Sequence, residues 1–368
     1  MEKFVEDETA SFYNYLPRGC RLCQEGAKLV LFVTGLCQKN CFYCPLSEER
    51  RGKDVIFANE RLVEKDSDVL EEARIMDALG TGITGGEPLL KIERVLHYIR
   101  LLKSSFGAGH HIHLYTALAP EKEKLKSLQE AGLDEIRFHP PQETWSTLEQ
   151  SSYSKAIRTA MALGIDSGIE VPVLKGVEKI VSFAGKNGIF LNLNELEFSE
   201  SNSKALLDLG FSLKSDSSNA ATGSAEYAKT SLRSGLKVHF CSSSYKDAVQ
   251  LRKRLQRTAK NTARQFDEVT EDGTLVYGII EGEELEFVIK ILKEAEVPEE
   301  LFEVKTGKIE IAWWVLEELK EEIKEKLEIG MKDQKTEENE KRKICKTKLS
   351  IIERYPFENG MLVELIPL

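Results

Sequence analysis

The chain has 368 residues and a formal net charge of -10 at pH 7, with 41% hydrophobic and 30% charged residues. That length supports one large domain and a smaller one, and the composition is that of a globular chain in water. It excludes a membrane partner on sequence grounds, since no apolar run reaches the length of a span, and the acidic balance disfavours nucleic-acid binding by the whole surface. The start, MEKFVEDETA, lacks the basic-then-apolar order of a signal peptide, so a cytoplasmic location is expected.

From Lys28 the sequence alternates apolar runs with amphipathic segments. KLVLFVTG (28–35) reads as a fully buried strand, followed by a cysteine-bearing loop. DSDVLEEARIMDALG (66–80) reads as a helix, capped by Asp66 or Ser67 and stopped at Gly80. The pattern then predicts strands over 81–86, 111–118, 135–141, 168–174 and 189–198, with helices over 92–105, 121–132, 154–164 and 177–188 between them. Six strands in βα rhythm imply a parallel sheet. A weaker unit follows, a helix within 222–235 and then LKVHFCS (236–242). Eight units would close a barrel, so the expected fold is α/β, a partial (β/α)6 TIM-like barrel with a small C-terminal α+β domain. In that C-terminal part we expect a hairpin around Asp272-Gly273, helices over 283–295 and 311–328, a Lys/Glu-rich linker over 329–345, and a last strand in NGMLVELIPL. The expected domains are an N-terminal segment 1–27, the barrel 28–264 and the C-terminal domain 265–368.

Five of the seven cysteines stand in RGCRLCQEGAKLVLFVTGLCQKNCFYCP (18–45). In a reducing compartment such clustering points to metal or catalysis rather than disulfides. Cys37, Cys41 and Cys44 follow the first strand with Cys-x3-Cys-x2-Cys spacing. Three thiolates on one loop can hold three irons of a [4Fe–4S] cluster and leave the fourth open to a small molecule. The cysteines alone also allow a zinc ribbon, a non-catalytic binding module using Cys20, Cys23, Cys41 and Cys44. That reading leaves Cys37 unused and makes a buried strand the spacer.

One βα unit later comes TGGEPLL, with Gly85, Gly86 and Glu87. The glycines let backbone approach a ligand, and the carboxylate can pair with an ammonium. With the cysteine loop, this turn resembles the radical S-adenosylmethionine (SAM) enzymes, over roughly residues 28–200. Their pattern is Cys-x3-Cys-x-aromatic-Cys after strand one, here with Tyr43 as the aromatic, and Gly-Gly-Glu after strand two. The resemblance implies a [4Fe–4S] cluster on Cys37, Cys41 and Cys44, whose open iron takes the amino and carboxylate groups of SAM. It implies that Gly85, Gly86 and Glu87 hold the methionine ammonium, that Tyr43 lies near the adenine, and that Thr116 contacts SAM. An electron from an external donor would then cleave SAM to a 5′-deoxyadenosyl radical that abstracts hydrogen from a substrate. A looser likeness links the chain to an archaeal-type group in the branch of the pyruvate formate-lyase activating enzyme. It carries over no substrate, and a protein glycyl residue, an RNA base and a small metabolite stay open.

Arg137 and His139 on strand four, Glu170 on strand five, and Glu195, Glu197 and Ser199 on strand six suggest either a wet barrel interior or solvated strand ends. His110, His111 and His113 read as a surface strand entry. Cys20 and Cys23, in a Gly-Cys-x2-Cys-x2-Gly setting, read as an auxiliary metal knuckle for a second iron–sulfur cluster or zinc, or as reduced thiols. Cys241 is the candidate third ligand, with His239 and Cys345 as reserves. Finally, 245–264 carries Lys246, Arg252, Lys253, Arg254, Arg257, Lys260 and Arg264, a stripe able to track RNA phosphates or to be a solvated helix face.

Overall fold

The computed structural model describes residues 4–232, 235–333, 347–357 and 360–368. Cys345 and residues 334–345 of the expected linker lie outside the described residues. The chain divides into two compact units, Met1–Arg254 and Leu255–Leu368.

The first unit opens with helix α1 (Arg18–Gln24) and then repeats a strand–helix alternation. Its elements are β1 (Lys28–Phe32), α2 (Asp66–Ile75), β2 (Gly80–Thr84), α3 (Ile92–Phe106), β3 (His111–Thr116), α4 (Lys122–Ala131) and β4 (Glu135–Phe138). There follow α5 (Ser152–Ala162), β5 (Asp166–Pro172), α6 (Val177–Asn187), β6 (Phe190–Asn194), α7 (Ser224–Ser231) and β7 (Lys237–Cys241). The seven strands run parallel in the order β7-β6-β5-β4-β3-β2-β1. The weak seventh unit of the sequence is thus a full member of the sheet. The barrel does not close on itself: β1 pairs onward with Phe57–Ala58, and β7 with Phe12–Tyr13, both antiparallel.

The strand period of two sorts the side chains. Leu29 and Leu31, Ile136 and Phe138, and Leu191 and Leu193 face the helices and join one apolar core. Each such fully buried side chain contributes about 1.5–3 kcal/mol. The alternate positions turn inward, and they are polar: Lys28, His113, Arg137, Glu170, Asn192. The outer core therefore holds the sheet, and the inner face is left for chemistry.

In the second unit β8 (Leu275–Glu281) is central. Helix α8 (Leu285–Glu294), strands β9 (Phe302–Lys305) and β10 (Lys308–Ile311), helix α9 (Trp313–Asp333), and strands β11 (Lys348–Arg354) and β12 (Leu362–Pro367) follow. The sheet is antiparallel, ordered β9-β10-β8-β11-β12. Glu268–Val269 also pairs with β8 through the expected hairpin, whose turn needs Gly273 at φ +81°. Ile280, Ile309 and Ile311 pack with Val288 of α8 and Leu316 of α9, while Tyr277, Ile279 and Ile352 form a second cluster with Phe266.

Candidate active site

The cysteine loop and the Gly-Gly-Glu turn are locked together by backbone. Gly86 N donates to the Thr34 carbonyl and Glu87 N to the Leu36 carbonyl, each at 2.7 Å. A Cβ on Gly86 would stand 2.5 Å from the Leu36 oxygen, so only glycine permits this approach. The root of the loop is pinned by Asp54, which accepts from Thr34 Oγ1 at 2.9 Å and pairs with Arg94 at 2.6 Å and Lys91 at 2.7 Å. Hydrogen bonds from Arg94 and Lys91 hold the Asp54 carboxyl well below the usual carboxylate range.

Cys37, Cys41 and Cys44 line one part of a cavity of about 780 Å³, together with Gly85, Gly86 and Thr116. Burial raises the thiol pKa of Cys37 and of Cys41. Among the described residues no three His, Cys, Asp or Glu side chains are drawn onto a single ion, and this loop is no exception. Tyr43 also lines the cavity, and its hydroxyl lies 2.9 Å from His139 Nε2. His139 Nδ1 lies 2.8 Å from the Glu170 carbonyl, which can only accept. Nδ1 therefore carries the proton and Nε2 accepts from Tyr43. Burial lowers the His139 pKa, in keeping with this neutral ring.

Glu87 is held by groups of its own turn and of the next strand. Its side chain is 1% exposed and absent from the cavity wall. Its oxygens accept from Leu89 N at 3.0 Å, Thr116 Oγ1 at 2.8 Å and Ala117 N at 2.7 Å. Burial pushes its carboxyl up, against those three donors. Glu87 thus clips the turn to the end of β3.

The same cavity is lined by Lys28, Tyr115, Glu170, Asn194, Glu195 and Glu197. Arg137, 2% exposed, binds Glu135 through Nε and Glu170 through Nη1 at 2.7 Å. Asn192 and Asn194 donate to Glu170 at 2.9 and 3.0 Å. Of the polar strand residues singled out in the sequence, His139, Glu170, Glu195 and Glu197 line the cavity, and Arg137 is buried. The histidine expectation is overturned: His110, His111 and His113 are 3%, 5% and 0% exposed. A central parallel strand is covered on both faces, so His111 and His113 turn into the barrel rather than into solvent, while His110, just before the strand, sits 2.8 Å from Thr81 Oγ1 and against Phe106 of α3. In the basic segment, Arg252, Lys253 and Lys260 are exposed, as a solvated helix face would have them, and three other cations are paired. Lys246 reaches the cavity wall and pairs with Glu197, Arg254 binds Asn59 at 3.2 Å and Glu60 at 2.7 Å, and Arg264 pairs with Asp267 at 2.7 Å. Those three cations are tied to protein acids or amides. Sequence reasoning missed Lys28 and Tyr115 and placed Lys246 on a helix stripe rather than at the cavity; for Lys28 the signal was its period-two spacing from Val30 inside an otherwise apolar strand.

A family model described as the radical SAM superfamily matches residues 31–179, and one described as a domain of unknown function (DUF8061) matches 273–368. A Methanocaldococcus jannaschii protein is 41% identical over 341 residues, covering 88% of each chain, and is provisionally named a glycyl-radical enzyme activating enzyme. The chain belongs to the radical SAM superfamily. A Methanothermobacter thermautotrophicus protein provisionally named a GTP 3′,8-cyclase is 25% identical over 191 residues, covering 47% of this chain and 58% of the relative. Two solved structures show remote likeness. Methylornithine synthase is 12% identical, covering 61% of this chain and 75% of its own, with a TM-score of 0.38. Coproporphyrinogen III oxidase from Escherichia coli is 10% identical, covering 84% and 91%, with a TM-score of 0.32.

Membership settles the zinc-ribbon alternative against itself, and the structure supplies the reason. Cys20 and Cys23 lie on α1 inside the sheet, separated from the Cys41 loop by the length of buried β1. The residues present fit the implied cofactors. Three thiols and a bare glycine backbone share one cavity wall, beside Tyr43 and Thr116. Cys37, Cys41 and Cys44 would hold the [4Fe–4S] cluster, and the Gly85–Gly86 backbone with Thr116 would receive SAM. When bound, these groups supply a 5′-deoxyadenosyl radical for hydrogen abstraction. The chain's own residues orient that chemistry: Glu87 fixes the turn, the Tyr43–His139 pair fixes the wall, and the Arg137–Glu170 net keeps a polar surface facing the substrate space. Among the described residues no helix is long and apolar enough to cross a membrane.

Proposed function

We propose that this radical SAM enzyme abstracts hydrogen from a glycyl residue of a protein partner, with an external reductant supplying the electron. The observation that carries the reading is the 41% identity to the provisionally named activating enzyme across 88% of the chain. The cavity is compatible with it. Asn194, Glu195 and Glu197 offer donors and acceptors of the kind a peptide backbone needs, around a space next to the cysteine loop. The RNA reading is less supported, because Lys246, Arg254 and Arg264 are spent on protein partners. Free thiols at all six described cysteines suit a reducing, cytoplasmic setting.

The test uses extract from source cells grown on α-deuterated glycine, incubated anaerobically with reduced protein and SAM. Deuterium should appear in 5′-deoxyadenosine, and a glycyl-radical EPR signal should appear in a partner fraction. Transfer of no deuterium, with 5′-deoxyadenosine still formed, removes the glycyl substrate but leaves the enzyme class intact. Cys37→Ala/Cys41→Ala/Cys44→Ala protein should form no 5′-deoxyadenosine at all.

A further inference from the structure

We infer that Cys20, Cys23 and Cys241, with His239, hold a second iron–sulfur cluster inside the barrel, apart from the Cys37 loop. The inference does not depend on which substrate the enzyme takes.

Cys20 and Cys23 are three residues apart on α1 and so share a helix face. That helix packs inside the sheet, against β1, β2 and β3. Gly19 makes the approach possible: a Cβ there would stand 2.6 Å from Arg137 Nη2 and 2.7 Å from His113 Nδ1. Its N–H donates to Glu135 Oε2 at 3.2 Å. The helix thereby brings Cys20 to the inner wall, where Asn192 Nδ2 donates to its sulfur at 3.3 Å. In register, Asn192 faces His239 and Asn194 faces Cys241. Val238 and Phe240 belong to the outer apolar core, so the alternate residues His239 and Cys241 turn to the inner face with Asn192. A helix and the last barrel strand thus converge on one region carrying thiols and an imidazole.

Several features there await a ligand. Cys20, Cys241 and His239 are buried at 8%, 6% and 4% exposure. His239 Nδ1 and Asn192 Oδ1 are buried with no partner, an arrangement that folded proteins otherwise avoid. Gln250 Nε2 donates to the Cys241 sulfur at 3.5 Å. Hydrogen bonds to sulfur of this kind, here from Asn192 and Gln250, are among the devices that tune iron–sulfur clusters. Lys28 lines the neighbouring cavity and forms no ion pair among the described residues, so its ammonium is available to offset the negative charge of thiolates.

The spacing favours a cluster over zinc. Zinc requires its ligand atoms within about 2.0–2.3 Å of one centre, and no three such side chains among the described residues close on one ion. A cluster holds its thiolates around its own irons and sulfides, so they sit farther apart. In the Cys37 loop, whose cluster follows from family membership, no three such side chains close on one ion either. Loading would release the thiol protons.

The experiment is anaerobic reconstitution, with iron and sulfide, of the full chain carrying Cys37→Ala, Cys41→Ala and Cys44→Ala. This protein should retain iron and sulfide in near-equal amounts and give an EPR signal on reduction. Adding Cys20→Ala and Cys23→Ala should bring both to background with an unchanged circular dichroism spectrum. Should that variant misfold, Cys241→Ser in the triple background serves instead, and it should alter the EPR signal. A triple variant that binds neither iron nor sulfide, or binds zinc in their place, overturns the inference, and an EPR signal indifferent to Cys241→Ser removes that ligand.

Discussion

Each unit buries a carboxylate against an arginine, and the two settings differ in what is left over. Glu170 in the barrel accepts from Arg137 Nη1 at 2.7 Å and from two asparagines. Glu310 in the C-terminal unit accepts from Arg264, and from Lys305 and Lys308 at 2.7 Å each. Burial raises both pKa values, but the attached donors outweigh it and bring each down to about 2. Around Glu310 the shell is closed. Three cations meet one acid, and Arg264 also stacks on Phe266 and Tyr277, at 4.3 and 4.7 Å. Around Glu170 the shell is open: Glu170 itself lines the cavity, and the neighbouring Arg137 Nη2 and Asn192 Oδ1 have no partner. A buried charge alone therefore does not mark a site. Polar groups held rigid beside empty space, with bonds still to make, do.

The largest effect should come from breaking both nets. Arg137→Leu strands Glu135 and Glu170 without a cation, which should cost about 3–5 kcal/mol in urea unfolding. It should also abolish substrate-dependent turnover. Arg264→Leu should cost stability on the same scale but leave turnover of the folded protein within about twofold. Equal losses of turnover in the two variants would erase the distinction between a site and a clasp.

A smaller effect separates holding from touching within the barrel. Glu87→Ala removes the acceptor of three hydrogen bonds at the end of β3. Charged acceptors are worth about 1.5–3 kcal/mol, so SAM affinity should fall roughly 10- to 100-fold by isothermal titration, while iron content stays normal. Normal affinity would show that the turn keeps its shape without this clip.

The strand rhythm and both motifs were legible because they are local. Period-two and helical patterns, and glycines beside cysteines, survive in a string of letters. The rest depended on the third dimension. The histidines of β3 look solvent-bound in sequence, but their strand is central and its inner face is the polar one. Lys246 looks like one member of a basic helix stripe, yet its position after β7 carries it into the cavity to meet Glu197. Glu87 was assigned to a ligand because of its motif. Its burial follows from the Thr116 hydroxyl and the Ala117 N–H, which come from the next strand and lie about thirty residues away in sequence. The unit boundary at Arg254 also precedes the composition change near residue 264, since the basic helix Arg252–Thr262 falls mostly in the second unit.

The smallest effect concerns acid. A carboxyl whose pKa is lowered on folding contributes stability that is complete above the unfolded value, near 4.3, and fades as pH falls through the folded value. For Glu310 the folded value is about 2. The full difference would amount to roughly 3 kcal/mol, but Lys305 and Lys308 are 38% and 34% exposed, and solvent screening reduces it to about 1–2 kcal/mol. Urea midpoints measured from about pH 6 to pH 3 should therefore decline less steeply in Glu310→Gln than in the wild type, and only below about pH 5. Glu170→Gln should flatten the same limb, but it should also change substrate turnover at neutral pH, because its shell faces the cavity. If Glu310→Gln followed the wild-type acid limb unchanged, the three cations would be bystanders and the clasp would rest on the stacking of Arg264 alone.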